Sequence, residues 1–322
     1  MSALPTTSDD LWLGSSAPAA ALEALVRKAA GSRAPAVVFG EGGSGKTRVA
    51  RALHERGPRA SGPLCAASLA ALAPTLIESE LFGHEEGAFT GASRARQGRF
   101  RQAHGGTLIL EDIDALPLDL QGKLLRVLQE GEVEPLGAER AEKIDVRVVA
   151  TSVRDLRESV ASGRLRSDLF WRLAVLELAV PPLRARTEDI VPLAQRVLAR
   201  LSSARGLSAA AEELLRSHPW PGNVRELENA LERVLALTGD ARVPIQAEEL
   251  AFLNSAVADE TDQLAARALA HGVKLEALEE ALLRGALREQ RGNVAAAARQ
   301  VGLSRRAFEY RMSKLADGGE SP

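Results

Sequence analysis

The first half of the chain alternates short apolar runs with stretches of helical spacing. Largely apolar runs occupy 36–39, 107–110 and 146–150, within a region that extends from Pro35 to about Pro182. Runs of this kind are typical of strands buried on both faces, as in parallel sheets covered by helices. The pattern therefore predicts an α/β fold with a parallel sheet at its centre.

After this region the strand signals stop. Apolar residues at helical spacing predict helices over 189–202, 208–217 and 223–237. These helices would form a smaller, all-α subdomain at 183–252.

The C-terminal segment 274–316 has the pattern of a small all-α domain with a helix-turn-helix. It follows residues 253–273, whose weak periodicity predicts a linker. Asn293 is expected to cap a first helix, Gly302 to make the turn and Ser304 to cap the second helix. The apolar faces of the two helices would consist of Val294, Ala297, Ala298 and Val301, and of Ala307, Phe308, Met312 and Leu315.

A further apolar stripe at helical spacing precedes this motif. It consists of Leu275, Leu278, Leu282 and Ala286. Two interpretations stay open: the stripe is a dimer contact, or it packs on the helix-turn-helix itself.

The overall charge hides a basic C-terminal segment. The 322 residues contain 41 Lys and Arg against 43 Asp and Glu, a net charge of −2 that on average suggests no nucleic-acid partner. Between Arg284 and Lys314, however, eight basic residues stand against two acidic ones. Phosphates respond to local charge, so we expect this segment to bind double-stranded DNA. The alternative is a basic helical hairpin used only for packing.

Other features favour a cytoplasmic protein. Cys65 is the single cysteine, so it forms no internal disulfide, and no cluster with metal-ligand spacing surrounds it. Residues 1–10 lack the basic and apolar regions of a signal peptide. No stretch approaches the roughly 20 apolar residues that cross a bilayer.

Residues 40–47 read Gly-Glu-Gly-Gly-Ser-Gly-Lys-Thr and fit the P-loop pattern in full. A predicted strand precedes them and a predicted helix, 48–55, follows. Successive backbone N–H groups of such a loop turn toward one anion, and the helix N-terminus adds a favourable dipole. We expect Lys46 to reach the β- and γ-phosphates of ATP and Thr47 to bind Mg²⁺. A chance glycine-rich turn is the alternative. The expected nucleotide-binding residues are Gly40, Gly42, Gly43, Ser44, Gly45, Lys46 and Thr47.

A P-loop also requires an acidic side chain at the end of a nearby strand, which holds the metal and polarises water. The run 107–110 ends in Glu111 and Asp112, and these two carboxylates supply it.

Residues 87–92 read Gly-Ala-Phe-Thr-Gly-Ala and carry a family resemblance. The motif resembles the signature loop of the AAA+ activators of sigma-54 RNA polymerase, also called bacterial enhancer-binding proteins. Its surroundings agree, with 78–84 before it and 220–227 far downstream. The resemblance covers roughly residues 12–316. It implies an AAA+ ATPase with a helical lid and a C-terminal Fis-type helix-turn-helix.

The resemblance also implies roles for particular residues. The loop Gly87, Ala88, Phe89, Thr90, Gly91 and Ala92 would contact the sigma factor, with 132–143 as a second surface loop that moves with it. Arg166 and Arg172 match the two arginine fingers, and Arg225 matches the second sensor. Fingers supplied in trans place each active site between subunits, so the implied assembly is a ring, a hexamer by resemblance. Two bland alternatives are that Phe89 tucks into the core and that the two arginines are solvent-facing helix charges.

The Fis-type resemblance divides the basic residues of the segment 274–316 by role. Arg305, Arg306 and Tyr310 would face the major groove, next to the capping Ser304. Arg299, Arg311 and Lys314 would lie nearer the phosphates.

The sequence departs from the family pattern in three ways, all around the expected γ-phosphate. The family ends its acidic strand Asp-Glu, whereas here the order is Glu111-Asp112, so Glu111 would bind Mg²⁺ and Asp112 would polarise water. Ser68 replaces a common asparagine that switches the catalytic glutamate. Val153 replaces an asparagine that commonly follows the first-sensor threonine, itself Ser152 here. Misplacement on the order of 1 Å can lower a rate ~100-fold, whereas the two exchanges can compensate because they are opposite in sign. We therefore expect a working but atypical ATPase whose turnover can be slow.

Two alternatives to the motor stay open. One is a DNA-binding regulator that binds ATP and does not turn it over, and the other is an AAA+ remodeller of a different substrate. The expected domains are a tail at 1–10, the ATPase at 11–252 with its α/β part at 11–182, and the DNA-binding domain at 274–316 before a tail at 317–322. Because about ten residues precede the ATPase, a receiver or ligand-sensing domain is expected to be absent.

Overall fold

The computed structural model describes residues 14–89, 94–201, 203–239, 243–253, 265, 268–269, 271–290 and 292–317, the side chains of the last helix to residue 313. The chain divides into two compact units, residues 1–250 and 251–322. The two units are described separately below.

The described part of the first unit contains nine strands and ten α-helices. The strands are β1 (Ala36–Phe39), β2 (Leu64–Ser68), β3 (Gly83–His84), β4 (Arg96–Gln97), β5 (Thr107–Glu111), β6 (Glu132–Val133), β7 (Glu142–Lys143), β8 (Arg147–Ser152) and β9 (Leu176–Ala179). The helices are α1 (Ala17–Ala30), α2 (Lys46–Glu55), α3 (Pro74–Phe82), α4 (Arg99–Gln102), α5 (Leu118–Glu130), α6 (Leu156–Ala161), α7 (Ser167–Leu173), α8 (Ile190–Arg200), α9 (Ala209–Ser217) and α10 (Asn223–Thr238).

Five strands form a parallel sheet in the order β2-β5-β8-β1-β9. In the pairing of β1 with β8, Val37 lies opposite Ala150. Alternate residues of each central strand enter two separate apolar cores, because helices cover both faces of the sheet. Leu108 and Leu110 of β5 lie in one core and Ile109 in the other. The predicted α/β fold is thus confirmed.

One charged residue is buried in the run read as apolar. Arg147 begins β8, and its guanidinium donates to the carbonyl oxygens of Ala29, Ala30, Ala34 and Leu53 at 2.8–3.2 Å. Ala29 and Ala30 end α1, where carbonyls have no partner within the helix. Arg147 therefore links β8 to α1 and α2 by donating to backbone carbonyl oxygens of these two helices.

The helical subdomain follows the predicted pattern closely. Its helices α8, α9 and α10 cover the three segments expected to be helical. Trp220, in the turn before α10, is fully buried and donates from Nε1 to the carbonyl oxygen of Leu215 in α9 at 2.8 Å. This anchor fixes the start of α10 against α9.

The second unit contains α11 (Leu275–Glu289), α12 (Val294–Gln300) and α13 (Arg305–Asp317). The side chain of Asn293 accepts from Ala296 N–H, Ser304 accepts from Ala307 N–H, and Gly302 has a φ of 70°. The two caps and the turn are therefore as predicted.

The apolar stripe of α11 is divided between two environments. Ala286, together with Leu283, lies in the core of the second unit against Ala297 and Phe308. Leu275 and Leu282, in contrast, are exposed. The C-terminal end of the stripe therefore packs on the helix-turn-helix, whereas the exposed leucines leave the dimer contact as a prediction.

Among the described residues, no helix is long and apolar enough to cross a membrane.

Candidate active site

The loop between β1 and α2 has three backbone positions that favour glycine. Gly40, Gly43 and Gly45 have φ angles of 152°, 72° and 107°. A Cβ atom on Gly40 would lie 2.7 Å from the carbonyl oxygen of Val180, and one on Gly43 would lie 2.2 Å from that of Gly222. Two of the glycines are thus required by close contact as well as by backbone conformation.

Lys46 lies at the start of α2 with its ammonium held by the loop itself. Nζ donates to the carbonyl oxygens of Gly40 at 2.8 Å and Glu41 at 3.0 Å. Burial lowers the pKa of this ammonium, and the nearby Asp112 carboxylate opposes the shift. A phosphate is a stronger acceptor than a neutral carbonyl, so these contacts hold the ammonium where an anion can take it over.

The end of β5 brings the acidic pair to the loop. Thr47 donates from Oγ1 to Glu111 Oε1 at 2.8 Å, so these two oxygens meet at the start of α2. A hydroxyl and a carboxylate are ligands that Mg²⁺ takes beside a nucleotide's phosphates, and the pair fits that role. The contact is compatible with Glu111 as the metal-binding member of the pair, which stays a prediction.

Asp112 has a different environment from its neighbour. It has a left-handed backbone, with φ 56°, and its N–H donates to Thr151 Oγ1 at 3.2 Å. Burial raises the pKa of the Asp112 carboxyl, Asp114 and Glu111 raise it further, and Lys46 opposes them. Carboxylates that exchange protons in active sites commonly have a raised pKa.

A cleft of about 410 Å³ collects most of the predicted site. Its lining includes Gly42, Gly43, Ser44, Gly45, Lys46, Thr47, Ser68, Glu111, Asp112, Val153 and Arg225. Gly40 contributes the carbonyl that holds Lys46. The α/β part and the helical lid therefore both supply walls of one cleft.

Ser152 lies outside the lining of this cleft. It is fully buried, and its hydroxyl accepts from Arg154 N–H at 3.2 Å. The preceding residue, Thr151, lines the cleft and also holds the backbone of Asp112. Sequence reasoning missed Thr151, because the register of β8 that selects it depends on tertiary packing.

Arg166 and Arg172 do not line the cleft of their own chain either. Arg166 pairs with Asp168 at 2.8 Å, and Arg172 donates to the carbonyl oxygen of Leu128 at 2.6 Å. Both side chains are exposed. These are surface arginines with weak local partners, so both are available to a second molecule.

Arg186 is a cleft residue that the sequence did not reveal. Only 4% of it is exposed, and it donates to the carbonyl oxygen of Ser44 at 3.0 Å. Burial lowers the pKa of its guanidinium, and Asp189 opposes the shift. A lone arginine in a helical region is usually a solvated charge, so composition gave no signal for this burial.

The described part of the signature loop consists of Gly87, Ala88 and Phe89, whereas Thr90, Gly91 and Ala92 lie outside the described residues. Phe89 is 41% exposed, and its ring meets the His84 ring edge-on at 5.0 Å between centroids. His84 is itself tied to Ser79 Oγ at 2.7 Å. Phe89 thus rests on the base of the loop and does not enter the core. The second predicted loop, 132–143, is a hairpin whose ends pair as β6 and β7.

In the second unit the predicted DNA-contact residues have separate surroundings. Arg299, Arg306 and Tyr310 are exposed. Arg305 pairs with Glu309 at 2.8 Å and Arg311 with Glu279 at 2.7 Å. Ser304 serves as a cap, and the side chain of Lys314 lies outside the described residues.

Comparison with known families agrees with this geometry. Residues 12–179 match the sigma-54 interaction domain, 184–266 the AAA+ ATPase lid domain, and 274–315 the bacterial regulatory protein Fis family. The chain belongs to the sigma-54 activator family. The expected family, with its lid and helix-turn-helix, is confirmed.

Individual relatives resemble nearly the whole chain. The response regulator protein PilR of Pseudomonas aeruginosa is 43% identical over 313 residues, which cover 95% of this chain and 70% of PilR. The transcriptional regulatory protein XylR of Pseudomonas putida is 43% identical, over 90% of this chain and 54% of XylR. This sigma-54 activator chain therefore spans about half to two thirds of the length of such relatives.

A relative of this chain has been solved in complex with nucleotides. NtrX from Brucella abortus in complex with ATP has a TM-score of 0.68 and 31% identity, covering 94% of this chain and 68% of NtrX. Its complex with ADP has a TM-score of 0.70 and covers 94% of this chain and 69% of NtrX.

We predict that Thr47→Val abolishes the effect of Mg²⁺ on nucleotide binding. The change keeps the side-chain shape and removes the hydroxyl that meets Glu111. The gain in ADP affinity on adding Mg²⁺, measured by calorimetry, should fall at least about tenfold. ADP affinity without Mg²⁺ should stay unchanged. Thr47→Ser, which keeps the hydroxyl, is the matched control. An undiminished Mg²⁺ effect in the valine variant would contradict this assignment.

Proposed function

We propose that this chain is a DNA-bound ATPase of the cytoplasm whose ring remodels sigma-54 RNA polymerase and opens promoters. The observation that carries the proposal is the single cleft formed by the P-loop, the acidic pair and the lid residue Arg225. The family membership supplies the partner, sigma-54 polymerase, and the geometry supports the chemistry.

The first step is the binding of ATP in the cleft. The N–H groups of the loop 42–45 and the ammonium of Lys46 meet its phosphates. Thr47 and Glu111 would hold Mg²⁺, which would supply positive charge to offset that of the phosphates. Arg225 approaches from the lid side of the same cleft.

Hydrolysis then requires a base near the γ-phosphate. We assign this role to Asp112, because its half-buried carboxylate has a raised pKa and can accept a proton from water. Ser68 lines the cleft beside it and orients the attacking water or the carboxylate. Ser152, at the end of β8, supports these groups through the backbone, since its hydroxyl accepts from Arg154 N–H.

The arginine fingers act on a neighbouring subunit. Arg166 and Arg172 lie outside their own cleft, so they complete the charge stabilisation of the γ-phosphate only when a second copy presents them. A closed ring supplies such a contact to every subunit, and a hexamer is the size that the family implies.

The signature loop transmits the motion to the sigma factor. Phe89 offers a half-exposed aromatic ring, and Gly87 has a left-handed backbone with φ 80°. A loop with such glycines can change conformation at low energy, while the ring supplies apolar contact area. Gly87, Ala88, Phe89, Thr90, Gly91 and Ala92 together form this contact.

DNA binding keeps the ring near its promoter. Arg305, Arg306 and Tyr310 of α13 read the major groove, starting from the cap at Ser304. Arg299, Arg311 and Lys314 bind phosphates on either side, with Arg311 exchanging Glu279 for a phosphate.

The acidic pair supports a second candidate function. Asp112 is one methylene shorter than the family's glutamate, and in this second candidate the base falls short of the attacking water's position by about 1 Å. The chain would then bind ATP and DNA and regulate transcription without turnover.

We predict that Thr90→Val stops promoter opening by sigma-54 polymerase and spares the other activities. The proposal gives this hydroxyl a role in the sigma-factor contact and none in nucleotide or DNA binding. ATP turnover and operator affinity should stay within about twofold of the wild type. Thr75→Val, at the exposed start of α3, is the matched control. Loss of ATPase and DNA binding along with promoter opening would identify residues 87–92 as a structural turn.

We predict that the double variant E111D/D112E turns over ATP faster than the wild type. Restoring the family order lengthens the base and shortens the metal ligand, which should raise kcat about tenfold with ADP affinity unchanged. Steady-state hydrolysis with excess Mg²⁺ measures it, and Glu111→Asp alone, which keeps the short base Asp112, is the control expected to stay as slow as the wild type. A fall in kcat would mean that the exchanged pair already fits. A wild type without turnover, restored by the double variant, would favour the second candidate function.

A further inference from the structure

The lid contacts the P-loop through a set of polar side chains that the nucleotide chemistry does not use. Glu41, the second residue of the loop, forms a bidentate ion pair with Arg184. The Nη1 atom of Arg184 donates to Glu41 Oε2 at 2.7 Å, and Nη2 donates to Oε1. Arg184 belongs to the segment that begins the lid. The contact lowers the pKa of the Glu41 carboxyl, so its charge is retained and neutralised in place.

Asn223, the first residue of α10, extends this contact with both ends of its amide. Its Oδ1 accepts from Leu183 N–H at 2.7 Å, and its Nδ2 donates to Glu41 Oε2 at 3.1 Å and to the carbonyl oxygen of Gly42 at 3.0 Å. The side chain is fully buried. A buried amide satisfied on both ends holds its neighbours in one arrangement.

The backbone of Asn223 has the left-handed conformation, with φ 55°. In the described part of the chain, the only other non-glycine residues of this kind are Asp112 and Trp220. Such backbones are strained by about 1 kcal/mol or more and persist where the surroundings fix them. All three residues lie at the cleft or at the lid turn that closes it.

The consequence of this contact is a fixed approach of α10 to the loop. Val224 N–H donates to the carbonyl oxygen of Gly43 at 3.0 Å. The Cβ of Arg225 lies 3.0 Å from the position that a Cβ on Gly43 would take. Arg225 therefore enters the cleft two residues after Asn223, from a backbone that Asn223 holds.

We propose that Glu41, Arg184 and Asn223 form a latch that holds the lid on the P-loop and so sets the position of Arg225 against the nucleotide. These are positioning residues, and the inference rests on the proposed function, in which Arg225 contacts ATP. The latch orders the backbone that carries Arg225, so the contact of Arg225 with a phosphate requires little further ordering.

Asn223→Asp tests the donor half of the latch alone. Asp tolerates the same left-handed backbone, and one oxygen can still accept from Leu183 N–H. The other oxygen then faces Glu41 and the carbonyl of Gly42, both acceptors. Binding of Mg²⁺-ADP, measured by calorimetry, should weaken about tenfold. Asn293→Asp is the matched control, because aspartate caps a helix as well as asparagine does.

Two combined variants separate positioning from general damage. In an Arg225→Ala background, Asn223→Asp should change ADP affinity less than twofold, because the residue that the latch positions is gone. Adding Glu41→Gln to Asn223→Asp should restore most of the affinity, because the glutamine amide can donate to the new carboxylate. Glu41→Gln alone, at a half-exposed site where the substitution keeps the side chain's size, should weaken binding by a smaller factor.

The outcomes are distinguishable from those of the proposed function. Equal effects of Asn223→Asp with and without Arg225, or no rescue by Glu41→Gln, would overturn the latch. Since the readout is ADP binding, a wild type that binds ADP but fails to hydrolyse ATP leaves this test intact and contradicts only the motor. A wild type that binds no ADP would overturn both.

Discussion

The close approach of two backbones, the P-loop and the turn before α10, is the constraint on which the site depends. At Gly43 no side chain fits, because a Cβ would lie 2.2 Å from the carbonyl oxygen of Gly222. Burial of Trp220 against α9 fixes the turn, and the parallel sheet fixes the loop. The phosphate site and the lid are therefore built as one cleft, and a movement of either changes both.

The C-terminal end of β5 places two adjacent carboxylates in the cleft. Glu111 meets Thr47 directly, whereas Asp112 leaves the strand with a left-handed backbone held by Thr151. Adjacent carboxylates thus have different surroundings, one suited to a metal and the other to a proton. Arg166 and Arg172 do not line this cleft, and in the proposed ring a second subunit supplies their charge.

Much of the fold could be predicted because its signals are local. The P-loop pattern, the apolar strands and the caps at Asn293 and Ser304 depend on residues near in sequence, and each was found where expected. Arg147 and Arg186 could not be predicted, because their burial depends on carbonyls contributed by distant segments. For the same reason the choice of Thr151 over Ser152 as the cleft residue, and the division of the α11 stripe between core and surface, required the structure.

The central claim is that ATP is hydrolysed between subunits, and its most direct test is Mg²⁺-dependent hydrolysis across protein concentration. Lys46→Ala supplies the blank. The account predicts that specific activity rises steeply with concentration, and that mixing Lys46→Ala with Arg172→Ala restores activity that neither variant has alone. Activity that equals the blank at every concentration, with ADP still bound, would contradict the account and leave a DNA-binding regulator without turnover.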